Sequence, residues 1–140
     1  MRRRALLHRC TYVLLRNAAG EILVHRRTDT KDIFPGAYDV FSGGVCAAGE
    51  SYDECARREV AEELGVVGAY LMFLFKHRYR GSHGQAWGAV YEGQWDGEVR
   101  RQETEVAWHA WVAAPQLDRM LGELTFCPDS LEIFERLRSR

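Results

Sequence analysis

The segment Gly44–Val66, GVCAAGESYDECARREVAEELGV, specifies a helix whose two faces need different surroundings. Ser51-Tyr52-Asp53-Glu54 has the capping-box form, a hydroxyl at the N-cap and a carboxylate three residues later, and Gly65 supplies a stop. Ala56, Val60 and Leu64 recur every four residues and make an apolar stripe that packs on a sheet. Glu59, Glu62 and Glu63 stand at i, i+3 and i+4, so their side chains share another face. Three like charges there repel, and the crowding costs stability unless a cation neutralises it. Several carboxylate oxygens in one place suit a hard ion such as Mg²⁺ or Mn²⁺. Arg58 is a second cationic partner, and Glu50, just ahead of the helix, can reach back either to Arg58 or to the cluster.

A bare pair of glutamates near a helix end is ordinarily a solvated surface. Here the pattern is longer: Gly44, five residues, Glu50, seven residues, Arg58-Glu59-Val60, one residue, Glu62-Glu63, one residue, Gly65-Val66. With usage of about 5–7% at each specified position, chance matches are rarer than about one in a million windows.

The rest of the chain reads as strands and short helices. Residues 10–16 and 21–27 are apolar and β-branched around the turn residues 17–20, and predict a hairpin. A short strand over 38–41 ends at Gly43-Gly44. Further strands are expected at 69–77, 86–91 and 106–112, with helices at 115–121 and, opened by Pro128-Asp129-Ser130, through 137. A mixed sheet with helices on its faces follows, the α/β class. At 140 residues and 46% hydrophobic, one domain spanning 1–140 is the expectation.

A formal charge of −1 argues against broad electrostatic capture of nucleic acid. In the opening MRRRALLHRC, His8 and Arg9 interrupt the apolar run a signal peptide needs, and no stretch approaches the ~18 apolar residues of a membrane span. Four cysteines without a CxxC pairing read as reduced thiols, so a soluble, cytoplasmic protein without membrane contact is expected. Oligomeric state, including a homodimer, is left open.

The Gly44–Val66 pattern resembles the Nudix family, completely in its motif and over nearly the whole chain in element order. The resemblance implies an α/β/α sandwich and hydrolysis of a diphosphate linkage, in a nucleoside diphosphate joined to another group. It implies Glu59, Glu62 and Glu63 as ligands of Mg²⁺ or Mn²⁺, Arg58 and Glu50 as a supporting pair, and Gly44 as a close backbone approach. Family members draw the general base from the motif or from a later loop, which nominates Glu62 and, as alternative, Glu105. The implied partner is a small-molecule diphosphate.

A narrower resemblance covers LVHRRTDTKDIFPGAYD, Leu23–Asp39, which looks like the isopentenyl-diphosphate isomerase-like branch and puts Arg27 and Lys31 where that branch meets the diphosphate. An ungapped match, however, places the isomerases' cysteine at Gly43 and their metal-binding histidine at Val45. Cys46 then reads as a packing thiol and His8 as structural. Trp87, Trp95, Trp108 and Trp111, in or beside strand-like runs, read as packing rather than base-stacking residues. The alternatives to hydrolysis are an isomerase-like enzyme and a non-catalytic nucleotide sensor; sensors of that kind usually carry an added DNA-binding module, for which this length leaves no room.

Overall fold

Alternation along the first strand organises the molecule. In the computed structural model, which describes residues 7–81 and 84–140, β1 spans Leu7–Arg16. The basic opening, residues 1–6, lies outside the described residues. Successive side chains of a strand point to opposite faces, and β1 buries both. Val13 and Leu15 join Leu23 of β2 (Ile22–Arg27) and the α1 stripe Ala56, Val60 and Leu64 (α1, Tyr52–Leu64). Tyr12 and Leu14 join Ile22, Val24, Leu117 of α2 (Ala114–Glu123), and Ile133 and Phe134 of α3 (Pro128–Arg138). One sheet thus separates two helical layers. Val60 and Leu64 are almost wholly buried, each contributing about 1.5–3 kcal/mol by leaving water. No helix among the described residues is long and apolar enough to cross a membrane.

The remaining strands are β3 (Tyr38–Asp39), β4 (Leu71–Gly81), β5 (Gly84–Gln94) and β6 (Val106–Val112). The order is β3-β2-β1-β5-β4, with β6 on the other edge of β2. β1 and β5 run parallel in register from Leu7↔Gln85 to Arg16↔Gln94, and the other strand pairs are antiparallel.

The expected 10–16/21–27 hairpin is only partly formed. β1 and β2 share one register pair, Arg16↔Ile22, and then diverge. Residues 38–45 fill the wedge between them. Tyr38 and Asp39 pair with Arg26 and His25 of β2, whereas Ser42 and Val45 bridge to Val13 and Cys10 of β1. The strand expected over 38–41 stops at Asp39 because its own carboxylate accepts the N–H of Phe41 at 2.8 Å, a local bond that turns the chain. Both caps of α1 form as expected: Ser51 and Glu54 exchange hydrogen bonds of 3.0 and 2.9 Å, and Gly65 takes φ 67°.

Candidate active site

The end of α1 carrying the glutamates is organised by Arg58. Its Nε and Nη2 donate to both oxygens of Glu50, at 2.7 and 3.0 Å, and its Nη1 donates to Glu59 at 2.9 Å and Glu62 at 3.2 Å. Glu50 therefore reaches Arg58 rather than the cluster. The bidentate bond from Arg58, reinforced by the Ala47 N–H, holds the Glu50 carboxyl down at about 2. Glu63 turns elsewhere, accepting from Ser42 Oγ at 2.7 Å. Burial pushes the Glu63 carboxyl up to about 7, and burial also raises that of Glu59 against the pull of Arg58. Among the described residues no three acidic, histidine or cysteine side chains converge on one point. The crowding read from the helix face is relieved by Arg58 and Ser42.

Of these side chains, Ser42, Glu59 and Glu63 border a cavity of about 340 Å³, lined from both sides of the β1/β2 wedge. Glu59, Glu63 and Gly44 line it, and so do Arg27, Lys31 and Glu105. Glycine at 44 makes room for Glu59: a Cβ there would lie 2.8 Å from three atoms of its carboxylate, which would have to shift. Arg27 is steadied by a 3.0 Å bond from its Nε to Ile33 O, and Lys31 is ion-paired with Glu105. Glu105 is carried by the segment entering β6, which is tied to Thr28 by the bond from Thr28 N to Glu105 O. Arg58 and Glu62 do not line the cavity, and Glu62 is 54% exposed.

Of the two positions at which the chain departs from the isomerases, residue 43 has a steric basis. A Cβ at residue 43 would lie 1.9 Å from the backbone oxygen of Thr11, so this backbone admits only glycine there. Val45 bridges to Cys10 on β1. Neither Cys46, His8 nor any of the four tryptophans lines the cavity. Trp108 packs edge-on against Tyr38, and Trp95 donates to Glu98 O.

Sequence reasoning missed a second set of lining residues: Tyr12, His25, Asp39, Cys127 and Asp129. Asp39 offered one signal, an acid inside an apolar run, where aspartate is disfavoured. Asp129 was hidden in a helix start. Tyr12 Oη donates to Asp129 Oδ2 at 2.8 Å, and Asp39 is 8% exposed. Burial, with the charge of Asp129 adding to it, pushes the Asp39 carboxyl up to about 7, and burial beside Arg27 lowers His25 to about 4.

A pH dependence follows from Asp39. In the unfolded chain it ionises near 3.8, whereas the folded protein keeps its proton up to about 7. Between those values the folded state binds more protons, so this group's contribution falls as pH rises through the window. Asp39→Asn preserves an oxygen for the Phe41 N–H and cannot ionise. We expect its melting temperature to exceed the parent's at about pH 8 and to approach it at about pH 4. Melting curves followed by circular dichroism decide this; an equal loss of stability at both values would contradict it.

Three comparisons bear on this site. The family model for the NUDIX domain matches residues 6–137. An uncharacterized Nudix hydrolase of Streptomyces coelicolor is 49% identical over 138 residues, 97% of this chain and 76% of its own. The uncharacterized Nudix hydrolase YfcD of Escherichia coli K12 is 38% identical over 132 residues, 94% of this chain and 72% of its own. The crystal structure of DR0079 from Deinococcus radiodurans superposes with a TM-score of 0.80 at 28% identity, covering 92% of this chain and 82% of that one.

Proposed function

Since this chain belongs to the NUDIX domain family and is a hydrolase of pyrophosphate bonds, we propose that its substrate is a nucleoside diphosphate joined to another group and that Mg²⁺ or Mn²⁺ is its cofactor. One observation carries the reading: Glu59 and Glu63, with Gly44 beside them, line the same cavity as Arg27 and Lys31. Carboxylate oxygens suit a hard divalent ion, and the missing Cβ at Gly44 keeps the space around Glu59 open. The donor chemistry therefore fits such an ion, with Glu59 and Glu63 in the cavity lining as its candidate holders and Glu62, now paired with Arg58 outside that lining, as a third. When bound, it would polarise phosphoryl oxygens and make water a better nucleophile.

The side chains divide the remaining work. Arg58, itself clamped by Glu50, orients Glu59. Arg27 and Lys31 take the negative charge of the phosphates. The base that accepts the proton of the attacking water is Glu105 in this reading, since Glu105 lines the cavity and Glu62 does not. A phosphate group arriving at Lys31 competes for the ammonium that now pairs with Glu105, which frees the carboxylate at the moment it is needed.

The test is a screen of purified protein against nucleoside diphosphate derivatives with Mg²⁺ in oxygen-labelled water. One phosphorylated fragment should carry the label, and a chelator should abolish its formation. Isopentenyl diphosphate should yield no dimethylallyl diphosphate, because the glycine forced at position 43 leaves no thiol at the place where the isomerases carry theirs. Full turnover after exhaustive chelation, or double-bond migration, would overturn the proposal.

A further inference from the structure

Two stretches of the chain, 1–20 and 64–91, contain no acidic residue, although the whole carries 20. The sheet joins them, since β5 lies between β1 and the edge strand β4. Arg9 stands opposite Trp87, and Trp87 opposite Arg78, which makes one row across three strands. Directly opposed residues share a face, and the alternation that sends Val13 and Leu15 toward α1 sends Arg9 the same way. Lys76, Arg78 and Arg80 alternate along β4, and all three are exposed. Among the described residues none of these four cations is ion-paired with a carboxylate. The acids around the start of α1 are engaged elsewhere: Glu50 by Arg58, Glu54 by Ser51 N and Asp53 by the Tyr91 hydroxyl. Aromatic rings lie among the cations. Arg78 is 5.6 Å from the centre of the Trp87 ring, and Arg9 and Lys76 are 5.3 and 5.2 Å from that of Tyr52. Trp87 belongs to neither apolar core cluster. We propose that this platform binds single-stranded nucleic acid, with the cations on its phosphates and Trp87 and Tyr52 against its bases.

The formal charge of −1 averages over a segregated surface, and capture follows the local field instead. A second copy of the chain fits this edge poorly. Laid antiparallel about the centre of β4, it would set Lys76 against Lys76, and like charges directly opposed destabilise such a pair. An anionic membrane would answer the cations, but it also needs apolar side chains that project past them. Trp87 is only half-exposed, under Arg78, and the exposed Met72 and Phe73 lie toward the other end of β4. A single strand matches both features, since every nucleotide carries one phosphate and one flat base. The binding needs neither a metal nor a diphosphate linkage.

The experiment follows the fluorescence anisotropy of dye-labelled oligouridylate and oligodeoxythymidylate, each about 12 nucleotides long, as the full chain is added in the presence of a chelator. The two oligomers distinguish RNA from DNA as the source, and the chelator keeps binding apart from metal-dependent hydrolysis. Binding is expected at low salt and should weaken steeply as salt rises. Arg78→Gln with Arg80→Gln should weaken it at least about tenfold and lower the salt slope by about two. Arg119→Glu, an exposed change on α2 that alters the net charge by as much, should leave it within about twofold. Trp87→Ala should cost about tenfold, whereas Trp87→Phe keeps a stacking ring and should bind as the parent does, with part of the indole quenching lost. Circular dichroism checks that each variant is folded, and the β4 pair with Trp87→Phe carries the test if Trp87→Ala is not. Absence of binding at low salt, affinity untouched by the β4 pair, or an equal loss in Arg119→Glu would refute the platform. So would displacement of the oligomers by vesicles of phosphatidylglycerol and phosphatidylcholine, or a folded Trp87→Ala protein that binds as tightly as the parent.

Discussion

Glu63→Gln is expected to lower turnover by roughly a thousandfold while raising the melting temperature at about pH 8. The two effects have one origin. Glu63 is buried against Ser42, and burial lifts its carboxyl to about 7 from an ordinary 4.5. The folded protein therefore binds more protons than the unfolded chain between those values, and the charged group lowers stability above them. An amide keeps the size, still accepts from Ser42 and carries no charge to desolvate. It also holds a divalent ion poorly. Glu59→Gln should lose activity similarly but gain less stability, because burial also raises the Glu59 carboxyl while its bond from Arg58 at 2.9 Å opposes that rise. Steady-state kinetics beside thermal melts separate the cases. A Glu63→Gln protein that turns over normally would remove Glu63 from the catalytic set, and one that unfolds would make it structural.

The second large effect belongs to Gly43→Ala. The added methyl would start 1.9 Å from Thr11 O, an atom of the central strand that cannot swing aside as a side chain can. Neighbouring bonds Thr11 N to Gly44 O and Val13 N to Ser42 O hold the two segments together at 2.9 and 2.7 Å. Relief therefore requires breaking this local ladder, at a cost of about 3 kcal/mol. Urea denaturation should show the midpoint fall with little change in slope. An alanine variant as stable as the parent would mean that the segment has a second, equally good path past β1.

Most of the fold was legible because its signals are local. The capping box, Gly65 and the Ala56, Val60, Leu64 stripe specify α1 within a few residues, and every one of these features is in the structure. Strands were underestimated where apolar pattern gives way to polar residues. β4 continues through Arg78–Gly81 and β5 through Glu92–Gln94, since backbone pairing on a solvated strand does not depend on side-chain character. The divergence of β1 and β2 was not legible, because it results from residues 38–45 entering between them, a contact between distant segments. The same reason limits the site. Glu59 and Glu63 announce themselves by helical spacing, and Arg27 and Lys31 by family resemblance. Tyr12, His25, Asp39 and Asp129 lie on four separate segments and carry no shared spacing. Only the closed sheet puts them around one cavity.

The parallel ladder between β1 and β5 has a consequence for how the chain is made. β1 precedes its long partner in the chain, and their ladder begins at the pairing Leu7↔Gln85, so the segment between them must be synthesised before that edge can close. Until then Val13, Leu14 and Leu15, which end up almost wholly buried, belong to a strand with apolar residues on both faces and an open row of backbone donors and acceptors. Closing a loop of that length before any contact rewards it slows folding. Until β5 arrives, that apolar strand is the part of the folding chain most open to wrong pairing.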